Sequence, residues 1–103
     1  MKSQQQHQEQ IIFVLQQHYT SPQLSVSMLA DYLNISRQYL VSICLACCGK
    51  TPSTLIHCYR IKKALELQAL LGKENFCCTM VGYSNHRTYQ KALRKFNNVQ
   101  LQM

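Results

Sequence analysis

The chain has only three glycines and two prolines in 103 residues. A β-rich fold needs many tight turns, and so few turn residues leave little room for one. Acidic residues are also scarce: four, against eleven lysines and arginines, for a formal charge of +7. The sequence has no paired carboxylates, no glycine-rich phosphate loop and no Cys/His/Asp arrangement at an informative spacing, so nothing points to an enzyme or a cofactor. No apolar run approaches the roughly 20 residues needed to cross a bilayer. The opening "MKSQQQHQEQ" is polar and lacks the apolar core and cleavage site of a secretory signal. These absences lead us to expect a cytoplasmic, non-enzymatic chain whose residues 1–9 form a flexible polar leader.

What is present is helical. Apolar residues make up 47% of the chain, enough for a modest core. Ile11, Ile12, Val14, Leu15 and Tyr19 fit a helix from Gln10 to Tyr19, broken by "TSPQ". Ser25 can cap a short helix carrying Met28, Leu29, Tyr32 and Leu33. After "NIS", Ser36 can cap a third helix to about Cys48, with Gly49 as a left-handed stop. Thr51-Pro52 restarts a helix running to Leu71, followed by "GKEN". Its apolar residues form no single stripe, which predicts packing from two sides. A short helix is expected over Phe76–Val81, then a turn, then a helix from a cap at Ser84 or Asn85 to Phe96.

Two segments share one plan. "LADYLNISRQYLVSIC" and "CTMVGYSNHRTYQKAL" both read as short helix, turn, helix. Ser36 and Ser84 lie 48 residues apart, whereas Leu40 and Tyr89, like Cys44 and Leu93, lie 49 apart. This is a weak internal duplication of a helix-turn-helix. The expected division is a first subdomain over 10–51, a linker helix over 52–71 and a second subdomain over 72–103.

Charge follows the same division. Residues 1–52 carry Lys2, Arg37 and Lys50 against Glu9 and Asp31, a net +1. The remainder carries eight cations against Glu66 and Glu74, a net +6. On the last helix Tyr89, Ala92, Leu93 and Phe96 share one side, while Arg87, Gln90, Lys91, Arg94 and Lys95 share the other. A solvated helix usually mixes charge signs to gain i,i+4 pairs. Four cations without an acid suit phosphates and base edges instead. A 20-residue linker spans about 30 Å, close to the roughly 34 Å between successive major grooves on one face of B-DNA. One chain could thus read two adjacent grooves without dimerising.

The segments "LSVSMLADYLNISRQYL", "GKTPSTLIHCYRIKKALELQALL" and "VGYSNHRTYQKALRKF" resemble the DNA-binding domain of AraC/XylS-type transcriptional regulators. The resemblance covers roughly residues 10–99. It implies an all-α fold: two helix-turn-helix subdomains, homeodomain-like three-helix units, joined by a long linker helix. It also implies bacterial transcription regulation on the nucleoid and double-stranded DNA as partner, with no small-molecule ligand within this chain. By position, the first recognition helix would present Arg37, Gln38, Val41 and Ser42. The second would present His86, Arg87, Gln90 and Lys91, with Arg94 and Lys95 meeting phosphates. His86 is equally readable as an exposed residue at a helix start. Arg60 matches an arginine common in the family, and a structural hydrogen bond to nearby backbone is the favoured reading.

The chain departs from the family pattern in three places. "CLACCGKTP" stands where relatives carry a polar, basic run. On the wheel Arg37, Val41, Leu45 and Cys48 share the outward side, which leaves two readings open. Either this unit reads DNA through apolar contacts such as Val41 on a thymine methyl, or its surface binds RNA polymerase or another regulator. The segment before "VGYS" is about three residues short, so its helix is expected to be short or distorted. After "VQLQM" a closing helix is expected to be truncated.

Six cysteines occur, at Cys44, Cys47, Cys48, Cys58, Cys77 and Cys78. A zinc knuckle needs paired motifs on loops, and the single C-x₂-C here falls inside an expected helix. Reduced thiols acting as small hydrophobes are the favoured reading, with metal or thiol sensing as the alternative.

Overall fold

The computed structural model describes residues 4–96. Five α-helices follow in order: α1 Gln4–His18, α2 Val26–Tyr32, α3 Arg37–Cys48, α4 Pro52–Leu71 and α5 His86–Phe96, with a 3₁₀ turn at Cys78–Val81 before α5. The described residues contain no strand. The fold is all-α, with two helix-turn-helix units, α2–α3 and the 3₁₀ turn–α5.

The caps fall where short polar side chains can reach back to free amides. Ser25 Oγ accepts from Met28 N at 3.2 Å, Ser36 Oγ from Tyr39 N at 3.0 Å, and Thr51 Oγ1 from Thr54 N at 3.3 Å. Pro52 opens α4 where no amide is needed, and Gly49 closes α3 at φ 68°.

Two expected boundaries moved. Helix α1 begins at Gln4 rather than Gln10, so residues 4–9 are helical where a leader was expected. Glutamine is a good helix former. Gln5 also donates to Glu9 one turn on, and the His7 ring meets Tyr39 edge-on at 5.9 Å. The expected helix over Phe76–Val81 is a single 3₁₀ turn at Cys78–Val81. Cys77 is extended and offers no side-chain cap to start a longer helix. Expectations for residues 1–3 and for a closing helix lie outside the described residues.

The duplication is visible in the backbone. Asn34 N donates to Asp31 O and Ile35 N to Ala30 O; at an offset of 48, Gly82 N donates to Thr79 O and Tyr83 N to Cys78 O. Asn34 and Gly82 both hold the left-handed conformation, at φ 57° and 90°. The offset then slips by one because α3 is capped by Ser36 and α5 by Asn85. That slip explains why the turns repeat at 48 residues and the helices at 49.

Helix α4 serves two cores. Leu55, Ile56 and Tyr59 join the α1–α3 cluster around Leu15, Leu29 and Leu40. Cys58, Ile61 and Ala64 join the cluster of Val81, Tyr83, Tyr89 and Phe96. Packing from two sides, as the sequence predicts, is thus a property of this helix.

Arg60 lies between the clusters, 5% exposed. Its Nε donates to Tyr19 O at 3.1 Å and its Nη2 to Ser21 O at 2.7 Å. The guanidinium lies 5.4 Å from the centre of the Tyr83 ring. This is the structural role expected for Arg60. Gly82 closes the same junction: a Cβ there would run into Tyr19 O and would stand 2.9 Å from Arg60 Nε. Gly82→Ala should therefore cost on the order of 3 kcal/mol, combining left-handed strain with that collision. Gly49→Ala, in open space, should cost about 1–2 kcal/mol. Urea unfolding of the two variants checks the ranking.

Candidate nucleic-acid interface

Helix α5 is built as a two-sided element. Asn85 Oδ1 accepts from Thr88 N at 2.9 Å and from Thr88 Oγ1 at 3.0 Å, fixing the first turn. Tyr89, Ala92 and Phe96 are buried and hold the helix against α4. The Tyr89 hydroxyl accepts from Gln68 Nε2 at 2.9 Å, so its polar tip is satisfied at the seam.

The opposite side is cationic. His86, Arg87, Lys91, Arg94 and Lys95 are exposed, and Gln90 is half-buried. The ion pair found among the described residues is Lys63–Glu66 on α4, and none of their carboxylates pairs with the α5 cations. His86 Nε2 and Gln90 Nε2 lie 2.9 Å apart. That contact is a hydrogen bond when the amide donates to a neutral imidazole protonated on Nδ1. It orients the Gln90 amide.

The first unit differs. Arg37, Gln38 and Ser42 are exposed on α3, and Val41 is half-buried. Val26, Ser36, Arg37, Gln38 and Val41 line an open groove of about 490 Å³. Leu45 is 49% exposed beside them. Cys48 is not outward, as the wheel suggested, but 2% exposed within the first core. Cys48 joins the same cluster as Leu55 and Ile56 of α4, so a position at the edge of the core stripe is enclosed. The apolar outward patch is therefore Val41 and Leu45 alone. Cys44 is buried as expected. The described residues contain no group of three potential metal ligands.

The sequence reading missed His57. Its ring stacks on Phe96 at 5.1 Å and on Tyr83 at 5.9 Å, and its Nδ1 lies 2.9 Å from the Tyr83 hydroxyl. Burial, then the nearby Arg60 and Lys95, hold the imidazole below its ordinary 6.5. Burial pushes the Tyr83 phenol up to about 12, so the hydroxyl stays protonated beside the imidazole. A lone histidine mid-helix carries no sequence signal for this; only the fold brings Tyr83 and Phe96 to it.

Comparison with known proteins agrees on architecture. No protein-family model and no curated protein sequence matches the chain. A solved structure that does match is the C-terminal domain of the two-component response regulator YesN from Fusobacterium nucleatum. The TM-score is 0.74 at 21% identity, covering 90% of this chain and 97% of that one. At that identity the likeness establishes the fold.

The His57 stack should make the protein less stable in acid. Because the folded state protonates His57 only below the pH at which the unfolded chain does, unfolding takes up a proton in the interval between. The stabilisation is complete above about pH 6.5 and declines as pH falls toward the lowered folded value. The urea midpoint should drop between pH 7.5 and 5, and His57→Phe, which keeps the stack but cannot titrate, should flatten that drop.

Proposed function

We propose that the protein is a sequence-specific regulator of bacterial transcription that binds double-stranded DNA in the cytoplasm, on the nucleoid. The observation that carries this is α5: four exposed cations with no carboxylate partner among the described residues, mounted on a helix whose other side is buried. Left in water these charges repel one another; against phosphates they release counterions and gain affinity. The likeness to a response-regulator domain supports the same class of activity.

In this reading α5 enters a major groove with His86, Arg87, Gln90 and Lys91 toward base edges and Arg94 and Lys95 toward phosphates. Gln90, held by His86, would offer its amide to an adenine, and Arg87 its fork to a guanine. Helix α3 enters the neighbouring groove with Arg37, Gln38, Val41 and Ser42. The 20 residues of α4 span roughly 30 Å, close to the ~34 Å between successive grooves. The second unit supplies most of the grip because the first presents one cation on its reading face.

A second reading rests on Leu45, an exposed leucine beside half-buried Val41 on α3. Such a surface suits an apolar contact with RNA polymerase or another regulator. Buried Cys48 makes that patch small.

Duplex selection from a random pool should return a two-part site with half-sites one helical turn apart. Arg87→Ala should weaken binding by about 1–3 kcal/mol and relax one base position. Arg94→Ala should lower affinity on all sequences and reduce the slope of log K against log salt by about 1. Salt-independent binding, or affinity untouched by both changes, argues against the reading. Loss of partner capture by Leu45→Glu with duplex affinity intact favours the second.

A further inference from the structure

Of the six cysteines, Cys77 is the exposed one; Cys44, Cys48, Cys58 and Cys78 are buried and Cys47 is half-buried. Cys77 does not stand by itself. Its sulfur accepts a hydrogen bond from Thr79 Oγ1 at 3.2 Å, and the buried thiol of Cys78 is its sequence neighbour. Donors aimed at a sulfur favour its anion. Accordingly the Cys77 thiol is held below its ordinary 9.0, chiefly by Thr79, whereas burial pushes Cys78 up. An exposed sulfur disposed to ionise thus sits beside a protonated, shielded thiol.

The pair also occupies a structural joint. Cys77 O accepts from Met80 N at 2.9 Å and Cys78 O accepts from Tyr83 N at 3.2 Å. These bonds shape the 3₁₀ turn before α5. The Cys78 side chain belongs to the core cluster that contains Val81 and Tyr89.

We propose that Cys77 and Cys78 form an oxidation site for hydroperoxides, in which Cys77 is the attacking thiol and Cys78 the resolving one. The Cys77 thiolate attacks a peroxide oxygen: an S–O bond forms, the O–O bond breaks, and the departing oxygen takes a proton and leaves as alcohol or water. Cys77 is then a sulfenic acid. The Cys78 sulfur attacks the sulfenic sulfur: an S–S bond forms, the S–O bond breaks, and hydroxide leaves with the Cys78 proton as water. The dithiol is oxidised to a disulfide and the peroxide is reduced. Small oxidants suit the site because the sulfur stands on an open turn and needs no binding pocket. Closing the ring draws the Cys78 sulfur from the second core, so oxidation loosens the seat of α5. This chemistry is independent of what α5 binds.

The test uses the full chain, reduced and then treated with hydrogen peroxide. Before oxidation, iodoacetamide at pH 7 should alkylate Cys77 about tenfold faster than any other cysteine. After oxidation, the tryptic peptide Glu74–Arg87 should have lost two hydrogens, reversibly with dithiothreitol. Cys78→Ser should instead leave a Cys77 sulfenic acid that dimedone traps, and Cys77→Ser should abolish the change. The oxidised chain should melt at a lower temperature than the reduced one. Alkylation of Cys47 as fast as Cys77, or oxidation of Cys77 directly to sulfinic acid with no disulfide, overturns the proposal. An unchanged melting temperature in a chain shown to carry the disulfide overturns its coupling to α5.

Discussion

Arg60 is the constraint on which the arrangement of the two helix-turn-helix units rests. It brings a cation into the seam between two cores, where no carboxylate of the described residues meets it. Its hydrogen bonds go instead to the carbonyls of Tyr19 and Ser21, just beyond the end of α1, while Tyr83 from the second turn offers its ring face. A buried guanidinium is tolerable when its donors are satisfied, and charge-assisted bonds to carbonyls are stronger than neutral ones. The carbonyls are satisfied by the same contacts. One side chain on the linker therefore ties the exit of the first unit to the turn of the second. Gly82 is the other half of this arrangement, because any side chain there would occupy the space of the Tyr19 carbonyl.

Around that seam the two units are alike in backbone and unlike in chemistry. Their turns repeat the same pair of hydrogen bonds, yet Asn34 fills the left-handed position of one and Gly82 that of the other. Asparagine reaches that conformation at modest cost, which suffices where the turn is open; glycine is needed where the turn is pressed against Arg60. The recognition helices diverge too. Helix α3 offers Val41 and Leu45 beside a single cation, and α5 offers four cations. An apolar reading surface gains from shape and methyl contacts, whereas a cationic one gains from the phosphate field at longer range. His57, on the linker helix, packs against Tyr83 and Phe96 of the second unit, and the Cys77–Cys78 pair precedes its recognition helix.

The sequence by itself determined the helices, their caps and the sign of the surface. Ser25, Ser36, Thr51 and Gly49 act within a few residues of their own position, so their roles could be read locally. The side of α5 bearing Arg87, Lys91, Arg94 and Lys95 was legible for the same reason, since a helix fixes which residues share a face. Where the local signal was weak, the reading slipped. A glutamine-rich start reads as a leader until His7 is seen to meet Tyr39, and Cys48 reads as outward until α4 covers it. Only the tertiary structure decided the contacts that span tens of residues: Arg60 with Tyr19 and Ser21, His57 with Tyr83 and Phe96, Gln68 with Tyr89. Those pairings depend on where separate helices come to lie, and no periodicity along one helix encodes that.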